Sequence, residues 1–268
     1  MKKFLLAAGM ALTMSATAFA SEAPAAENIF DEPDTKVDGI VRDIAQKILP
    51  ISVEARFFMP HMDITAHTKN ISYNGGDVGL KNTLGFGNDN APELLFRYKR
   101  FNIDYIRIHG TGDRNFGAPL TFGGQNFTGD VHSKSDVDYL KFYVTNPIVS
   151  VLGNGVDWTY GLTGVQWKGT VSNASGSASK KYGAPIPTLG IGAHAAPLPS
   201  LRLYANVSGL PLGNRGHLVD LEAGVRYSPL ELVGIDIGYR KIRAKLKHSG
   251  DEGTLDMDGP FFGLRVDF

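Results

Sequence analysis

Charged side chains recur at every second position along several segments, and this spacing is the first sign of chemistry in the sequence. Asp236 and Arg240 share one parity, while Ile235, Ile237 and Tyr239 occupy the other. Residues of one parity point to one face of a β-strand. Such faces hold His194 and fourteen charged residues, eight basic and six acidic: Glu54, Arg56, Glu93, Arg97, Lys99, Lys141, Asp157, Arg202, Asp220, Glu222, Arg226, Asp236, Arg240 and Arg265.

Two functions fit such charged faces if they enclose the lumen of a small barrel. Buried charges must be paired and hydrogen-bonded, so the faces predict a lumen packed by ion pairs. The excess of basic residues also fits a narrow pore that weakly favours anions. Sequence parity alone leaves both interpretations open.

Motifs for cofactors and catalysis are weak. The segment from Gly190 to Ala195 matches the dinucleotide pattern G-x-G-x-x-A, which requires a strand before it and a helix after it. Pro197 and another alternating segment follow instead. None of the seven histidines has a metal-ligand spacing, so we predict no metal and no cofactor. His132-Ser133 resembles part of a lipid A deacylase site, although its flanking residues do not match that family.

Composition excludes several classes of protein. The chain has 27 basic and 27 acidic side chains, and this balance does not indicate a nucleic-acid partner. It has no cysteine, which excludes a disulfide scaffold. Its first 20 residues have the layout of a secretory signal peptide: Lys2 and Lys3, an apolar core, and a small-residue end at Ala18-Phe19-Ala20. Removing them leaves 25 basic against 27 acidic side chains, a net charge of −2.

The segment 21–50 is predicted to be a periplasmic leader. It begins with an acidic stretch that has little to bury. Val37, Val41, Ile44 and Ile48 then follow at helical spacing before Pro50, which predicts a short amphipathic helix. That helix could close the periplasmic mouth of a barrel or lie on the membrane surface, and disorder is the remaining alternative.

After Pro50 the hydrophobic period changes from 3.6 to 2, and residues 51–268 are predicted to form an all-β barrel. The predicted strands are ten, over 51–67, 92–99, 102–113, 134–145, 156–170, 185–196, 201–209, 217–227, 231–247 and 255–268. Tight turns alternate with longer polar connections, which is typical of a transmembrane antiparallel up-and-down barrel. The long turn from Asn146 to Gly155 leaves eight or twelve strands as alternatives.

Three features break the simple pattern. Parity changes at Pro60 and again between Tyr239 and Ile242, which indicates either a bulge or a strand that emerges above the bilayer. Trp158 and Trp167 have different parities, so either their strand bulges near Gly164 or one tryptophan lies outside the aromatic girdle.

The chain ends in GPFFGLRVDF, and this strand carries a resemblance. Gly263, Val266 and Phe268 match the terminal assembly signal of bacterial outer-membrane β-barrels: a glycine five residues before a terminal aromatic, with apolar residues at the last and third-last places. The chain therefore resembles the small barrels of this porin-like superfamily, with eight to twelve strands. The resemblance implies an outer-membrane location, contact with outer-membrane lipids and lipopolysaccharide, and assembly by the barrel-assembly machinery.

These observations predict an envelope-structural barrel or a narrow passive pore for small solutes, and not an enzyme. The alternative is an outer-membrane enzyme at the extracellular rim, either lipid A-modifying or omptin-like. Omptin proteases share the ten-strand size and use Asp and His near the outer rim, but no matching Asp–His pair is visible in the sequence.

Overall fold

The computed structural model describes residues 51–67, 71–73, 76, 78–79, 83–84, 91–211, 213, 216–230, 232–248 and 251–268. The predicted signal peptide, leader and amphipathic helix lie outside the described residues. No helix in the described part is long and apolar enough to cross a membrane.

The described residues form thirteen strands in one antiparallel sheet. They are β1 (Ile51–Phe58), β2 (His61–His67), β3 (Ile71–Tyr73), β4 (Val78–Gly79), β5 (Ala91–Tyr98), β6 (Phe101–Phe122), β7 (Gln125–Val151), β8 (Asn154–Asn173), β9 (Gly176–Leu198), β10 (Leu201–Pro211), β11 (Gly216–Leu230), β12 (Val233–His248) and β13 (Asp251–Asp267). Pairing of β1 with β13 closes the sheet into the predicted barrel.

The barrel has ten strands because β1 and β2 act as one. Phe58 lies opposite Phe261 on β13, and His61 lies opposite Asp258, so the register continues without an inserted residue. The ladder is interrupted at Met59-Pro60, since proline cannot donate a backbone hydrogen bond. Short strands β3 and β4 are additional and pair with the ends of β6 and β2.

The two ends of the barrel differ. Both β1 and β13 have their chain-terminal ends at what we call the turn end, where Lys99-Arg100, Leu152-Gly153 and Pro199-Ser200 make tight connections. The expected long turn from Asn146 to Gly155 is wrong: β7 and β8 continue to a two-residue turn at Leu152-Gly153, where both residues have positive φ. Such conformations suit a tight hairpin.

At the opposite end, which we call the loop end, four strands are longer than predicted. β6, β7, β8 and β9 contain 22, 27, 20 and 23 residues, whereas about 9–11 residues cross a membrane. Much of the predicted loops 114–133 and 171–184 is therefore strand. The β6–β7 hairpin turns at Gly123-Gly124, and the positive φ of both residues favours glycine there.

The outer face carries an apolar belt near the turn end. Its exposed members include Phe57, Leu94, Phe101, Phe142, Leu162, Ile191, Ile237, Phe262 and Leu264. Beyond the belt the outer face becomes polar and the inner face becomes apolar. On β12, Tyr239 points outward and Arg240 points inward. Farther along the strand, Ile242 is buried on the inner face and Arg243 is exposed on the outer face. The register of β12 with β11 and β13 is continuous here, so the strand has no bulge. The change in hydrophobic parity therefore marks the point where the strand leaves the apolar belt.

The two tryptophans are on opposite faces of β8. Trp158 is exposed within the belt, whereas Trp167 points inward and donates from Nε1 to Ser135 Oγ at 2.8 Å. Its ring stacks on Tyr182 at a centroid distance of 5.8 Å. The β7–β8 register is unbroken around Gly164, so Trp167 is the tryptophan outside the girdle.

Candidate functional site

The charged inward faces meet in the middle of the lumen. Eight of the predicted lumen residues are at most 8% exposed: Glu54, Arg56, Glu93, Lys141, Asp220, Arg226, Asp236 and Arg240. Glu222 joins them with a side chain that is 13% exposed. Arg97, Asp157, His194, Arg202 and Arg265 lie closer to the turn end.

Arg240 on β12 is the centre of this buried network. Its guanidinium forms an ion pair with Glu93 on β5, lies 2.7 Å from Asp104 Oδ2 on β6, and lies 2.9 Å from Asp220 Oδ2 on β11. The residue is 1% exposed. A charge at this depth is stable only when its donors are satisfied, and here three strands supply the acceptors.

A second group of pairs surrounds Arg56 on β1. Arg56 pairs with Glu54 on its own strand, and its Nη1 lies 3.0 Å from Glu222 Oε1. Arg226 links this group to β12, with its Nη2 3.1 Å from Glu54 Oε2 and its Nε 2.7 Å from Asp236 Oδ2. The two groups share Glu93, which lies 3.6 Å from Arg56 Nη1, so they form one network.

The network also contains two neutral side chains, Ser208 and Tyr139. Lys141 Nζ donates to Ser208 Oγ at 2.6 Å and lies 2.9 Å from Asp220 Oδ2. Tyr139 donates its hydroxyl proton to the same carboxylate oxygen at 2.8 Å. Sequence reasoning missed Asp104, although it has the buried parity of Asn102 on β6 and that parity could have identified it.

Above the network, toward the loop end, the interior is apolar. One hydrophobic cluster contains buried side chains from strands around the barrel, including Met62, Ile106, Ile108, Phe122, Phe127, Val131, Val137, Val165, Ile186, Leu218, Ile242 and Met257, while Phe261 of the same cluster packs against Arg56 at the level of the network. Ion pairs and apolar packing thus fill successive layers of the described lumen.

Glycines make room for this packing. Gly190 and Gly192, which matched the dinucleotide pattern, lie within β9 and not before a helix. A Cβ at Gly190 would lie 2.6 Å from both Thr159 Oγ1 and the Val207 carbonyl oxygen. Gly263 of the terminal signal has a similar place, because its Cβ would lie 2.7 Å from Arg56 Cγ.

We expect Gly190→Val to lower the free energy of unfolding by about 1–3 kcal/mol, because the added side chain must displace its neighbours. The matched control is Gly164→Val, whose Cβ would find only the Leu140 carbonyl oxygen, at 3.8 Å. Urea titration of both variants in phospholipid vesicles measures the difference. Equal midpoints for the two variants would contradict a crowded lumen.

The other two residues of the predicted assembly signal, Val266 and Phe268, lie at the turn end. Val266 is opposite Val53 on β1, and the Phe268 amide donates to the Ile51 carbonyl oxygen at 2.8 Å. Phe268 is 61% exposed. The last strand therefore completes the closure of the barrel and ends in an exposed aromatic.

A polar cavity lies between the network and the turn end. Its volume is about 370 Å³. Cationic side chains dominate its outer part: Arg97, Lys99, Arg100 and Arg202. His194 and Asp157 also line it and approach each other to 3.1 Å between Nδ1 and Oδ2.

The histidines at the rim do not form the suggested hydrolase pair. His132 is on the outer face of β7, whereas Ser133 is buried on the inner face. Two Asp–His pairs do occur across β6 and β7, although none was visible in the sequence: His109 with Asp136 and His132 with Asp113, each at 2.6 Å. The described residues contain no cluster of three or more His, Asp or Glu side chains that could hold a metal ion.

Comparisons with known proteins bear on the fold. No protein-family model and no curated protein matches the chain. Among solved structures, the outer membrane protease OmpT from Escherichia coli has a TM-score of 0.54 at 9% identity, covering 82% of this chain and 97% of that chain. The translocator domain of the autotransporter NalP from Neisseria meningitidis has a TM-score of 0.41 at 10% identity, covering 87% and 97%.

The closed antiparallel barrel with an outward apolar belt defines a transmembrane β-barrel, in which every ladder group is paired and no sheet edge faces lipid. The likeness to OmpT shows the same fold. The chain is therefore a closed ten-stranded transmembrane β-barrel that shares the fold of this outer-membrane protein. In bacterial outer-membrane barrels the tight turns are periplasmic, and we propose the same orientation here, with the turn end facing the periplasm.

Proposed function

We propose that the protein is a structural component of the outer membrane whose lumen passes no solute. The supporting observation is the Arg240 centre, in which one buried guanidinium joins carboxylates from β5, β6 and β11 across the interior. The apolar cluster fills the next layer. A permeant solute would have to displace both layers.

Swelling of proteoliposomes tests this proposal with solutes of graded size. Vesicles that contain the full mature chain are diluted into isotonic arabinose, glucose or sucrose, with vesicles containing a general porin as the positive control. We expect the same optical trace as for protein-free vesicles. Size-dependent swelling above that baseline would favour the narrow pore instead.

We propose further that the chain has no enzymatic activity at the rim. This rests on the geometry of the two candidate groups, since His132 and Ser133 face opposite sides and both Asp–His pairs lie on the convex outer surface of β6 and β7. The lipid A mass profile of a deletion strain is expected to equal that of its parent. A changed acylation pattern restored by the wild-type gene would support the enzyme.

The proposed partners are outer-membrane lipids, lipopolysaccharide and the barrel-assembly machinery. The apolar belt suits the lipids, and the terminal strand suits the assembly machinery. Beyond the belt, the outer face of β12 carries Lys241, Arg243, Lys245 and Lys247, with side chains 32–50% exposed. Each of them also pairs with a carboxylate on β13, either Glu252, Asp256 or Asp258, so phosphate groups of lipopolysaccharide would compete with these carboxylates for the cations.

A further inference from the structure

The balance of acidic and basic side chains differs between the middle of the lumen and its periplasmic end. The buried network holds six carboxylates, Glu54, Glu93, Asp104, Asp220, Glu222 and Asp236, against the four cations Arg56, Lys141, Arg226 and Arg240. Toward the periplasmic end the balance reverses, because the cavity there is lined by Arg97, Lys99, Arg100 and Arg202 against Asp157, with Arg265 paired to Asp267 nearby.

Two of these arginines have no carboxylate partner in the described part of the chain. Arg97 Nε donates instead to the neutral Asn102 Oδ1 at 2.8 Å. Arg202 forms no ion pair with any described residue and lies directly opposite Arg226 in the β10–β11 register. Like charges directly opposite on paired strands are destabilising.

The electrostatic surroundings of Arg202 are repulsive. Arg226 lies opposite Arg202 and Arg97 lines the same cavity, so both place positive charge near this guanidinium, which Asp157 and Asp267 partly offset. The side chains at this end of the cavity therefore carry more positive than negative charge, and a bound anion would offset the repulsion between them.

The cavity offers space and further hydrogen-bonding groups. At about 370 Å³ it lies within the range of small-molecule sites. Tyr143, Thr145, Thr159 and Asn206 contribute hydroxyl and amide groups to its wall. Its inner wall is the ion-pair network, so a ligand would enter from the periplasmic side.

We propose that this cavity binds a small anion that carries a phosphate group. The planar fork of an arginine matches phosphate oxygens in a bidentate manner, and two arginines without a carboxylate partner in the described part of the chain, Arg97 and Arg202, line the cavity. A multiply charged group also offsets more than one of the four cations, which a single carboxylate cannot do. The phosphate belongs to a soluble periplasmic molecule or to a lipid headgroup.

Calorimetric titration of the full mature chain in detergent tests the site with inorganic phosphate, at ionic strength held constant with chloride. We expect saturable binding at one site. Arg97→Gln with Arg202→Gln is expected to weaken it about tenfold or more, because each lost charge-assisted hydrogen bond carries much of the affinity. The matched control Arg107→Gln removes a 60% exposed arginine from the outer surface and is expected to leave binding unchanged.

A second arm replaces inorganic phosphate with a short-chain phosphatidate. Binding of inorganic phosphate supports a soluble ligand, whereas arginine-dependent binding of the phosphatidate alone supports the same chemistry on a lipid. Absence of both, or equal affinity in the wild type and the double variant, overturns the proposal. Arg202→Lys keeps the charge and is expected to retain part of the affinity, so the test survives a double variant that fails to fold.

Discussion

Arg240→Met is expected to lower the free energy of unfolding by about 3–5 kcal/mol, because it leaves buried carboxylates without their shared counter-charge. Glu93, Asp104 and Asp220 all contact this guanidinium. Methionine fills much of the same volume, so the main change is electrostatic and not a cavity. Urea titration in phospholipid vesicles measures the loss.

Two further variants separate the network from a general effect of removing an arginine. Arg243→Met, three residues along the same strand, removes a side chain that is 50% exposed and pairs with Asp256, so we expect a loss of about 1 kcal/mol or less. Adding Glu93→Gln and Asp220→Asn to Arg240→Met is expected to restore part of the stability. Equal losses for Arg240→Met and Arg243→Met would show that the network does not stabilise the lumen.

Leu162→Arg is expected to destabilise the barrel by up to about 2–4 kcal/mol, the cost of a cation on the lipid face inside the apolar belt. Leu162 is 55% exposed in the apolar belt and lies between Phe142 on β7 and Pro187 on β9. Nothing in the lumen touches this outward side chain, so the effect reports only on the membrane. The measurement is the urea midpoint in vesicles.

Thr128→Arg is the control for the lipid face. Thr128 is exposed near the loop end of β7, beyond the belt, and a cation there is expected to cost about 0–1 kcal/mol. A similar cost at both positions would mean that the belt does not contact the hydrocarbon core. The contrast therefore tests the position of the bilayer along the barrel.

Strand parity predicted the barrel because one face of each strand meets lipid and the other meets the lumen. The same logic explains where the predicted strands were too short. Beyond the belt both outward residues and true loop residues are polar, so 114–133 looked like a loop. Strands continue through this segment, with Phe116, Leu120, Phe122 and Phe127 buried on their inner face. A search for apolar residues on the outer face does not detect them.

The parity of a residue also predicts which face of the strand its side chain lies on, but not which residue that side chain contacts. It placed Arg240 and Glu93 on inward faces, yet these residues are 147 positions apart, and only the closed sheet brings them together. The same applies to the Asp–His pairs of β6 and β7, which depend on the hairpin register. Distances across a closed sheet depend on strand order and stagger, which sequence spacing does not contain.

Single-channel recording in planar bilayers tests the closed lumen most directly. The chain without its predicted signal peptide, residues 21–268, is reconstituted and examined in potassium chloride over a range of voltages, with a general porin as the positive control. The buried ion-pair network and the apolar cluster predict no conductance steps above the protein-free baseline. Reproducible steps that change when Arg240 is replaced would contradict a closed lumen.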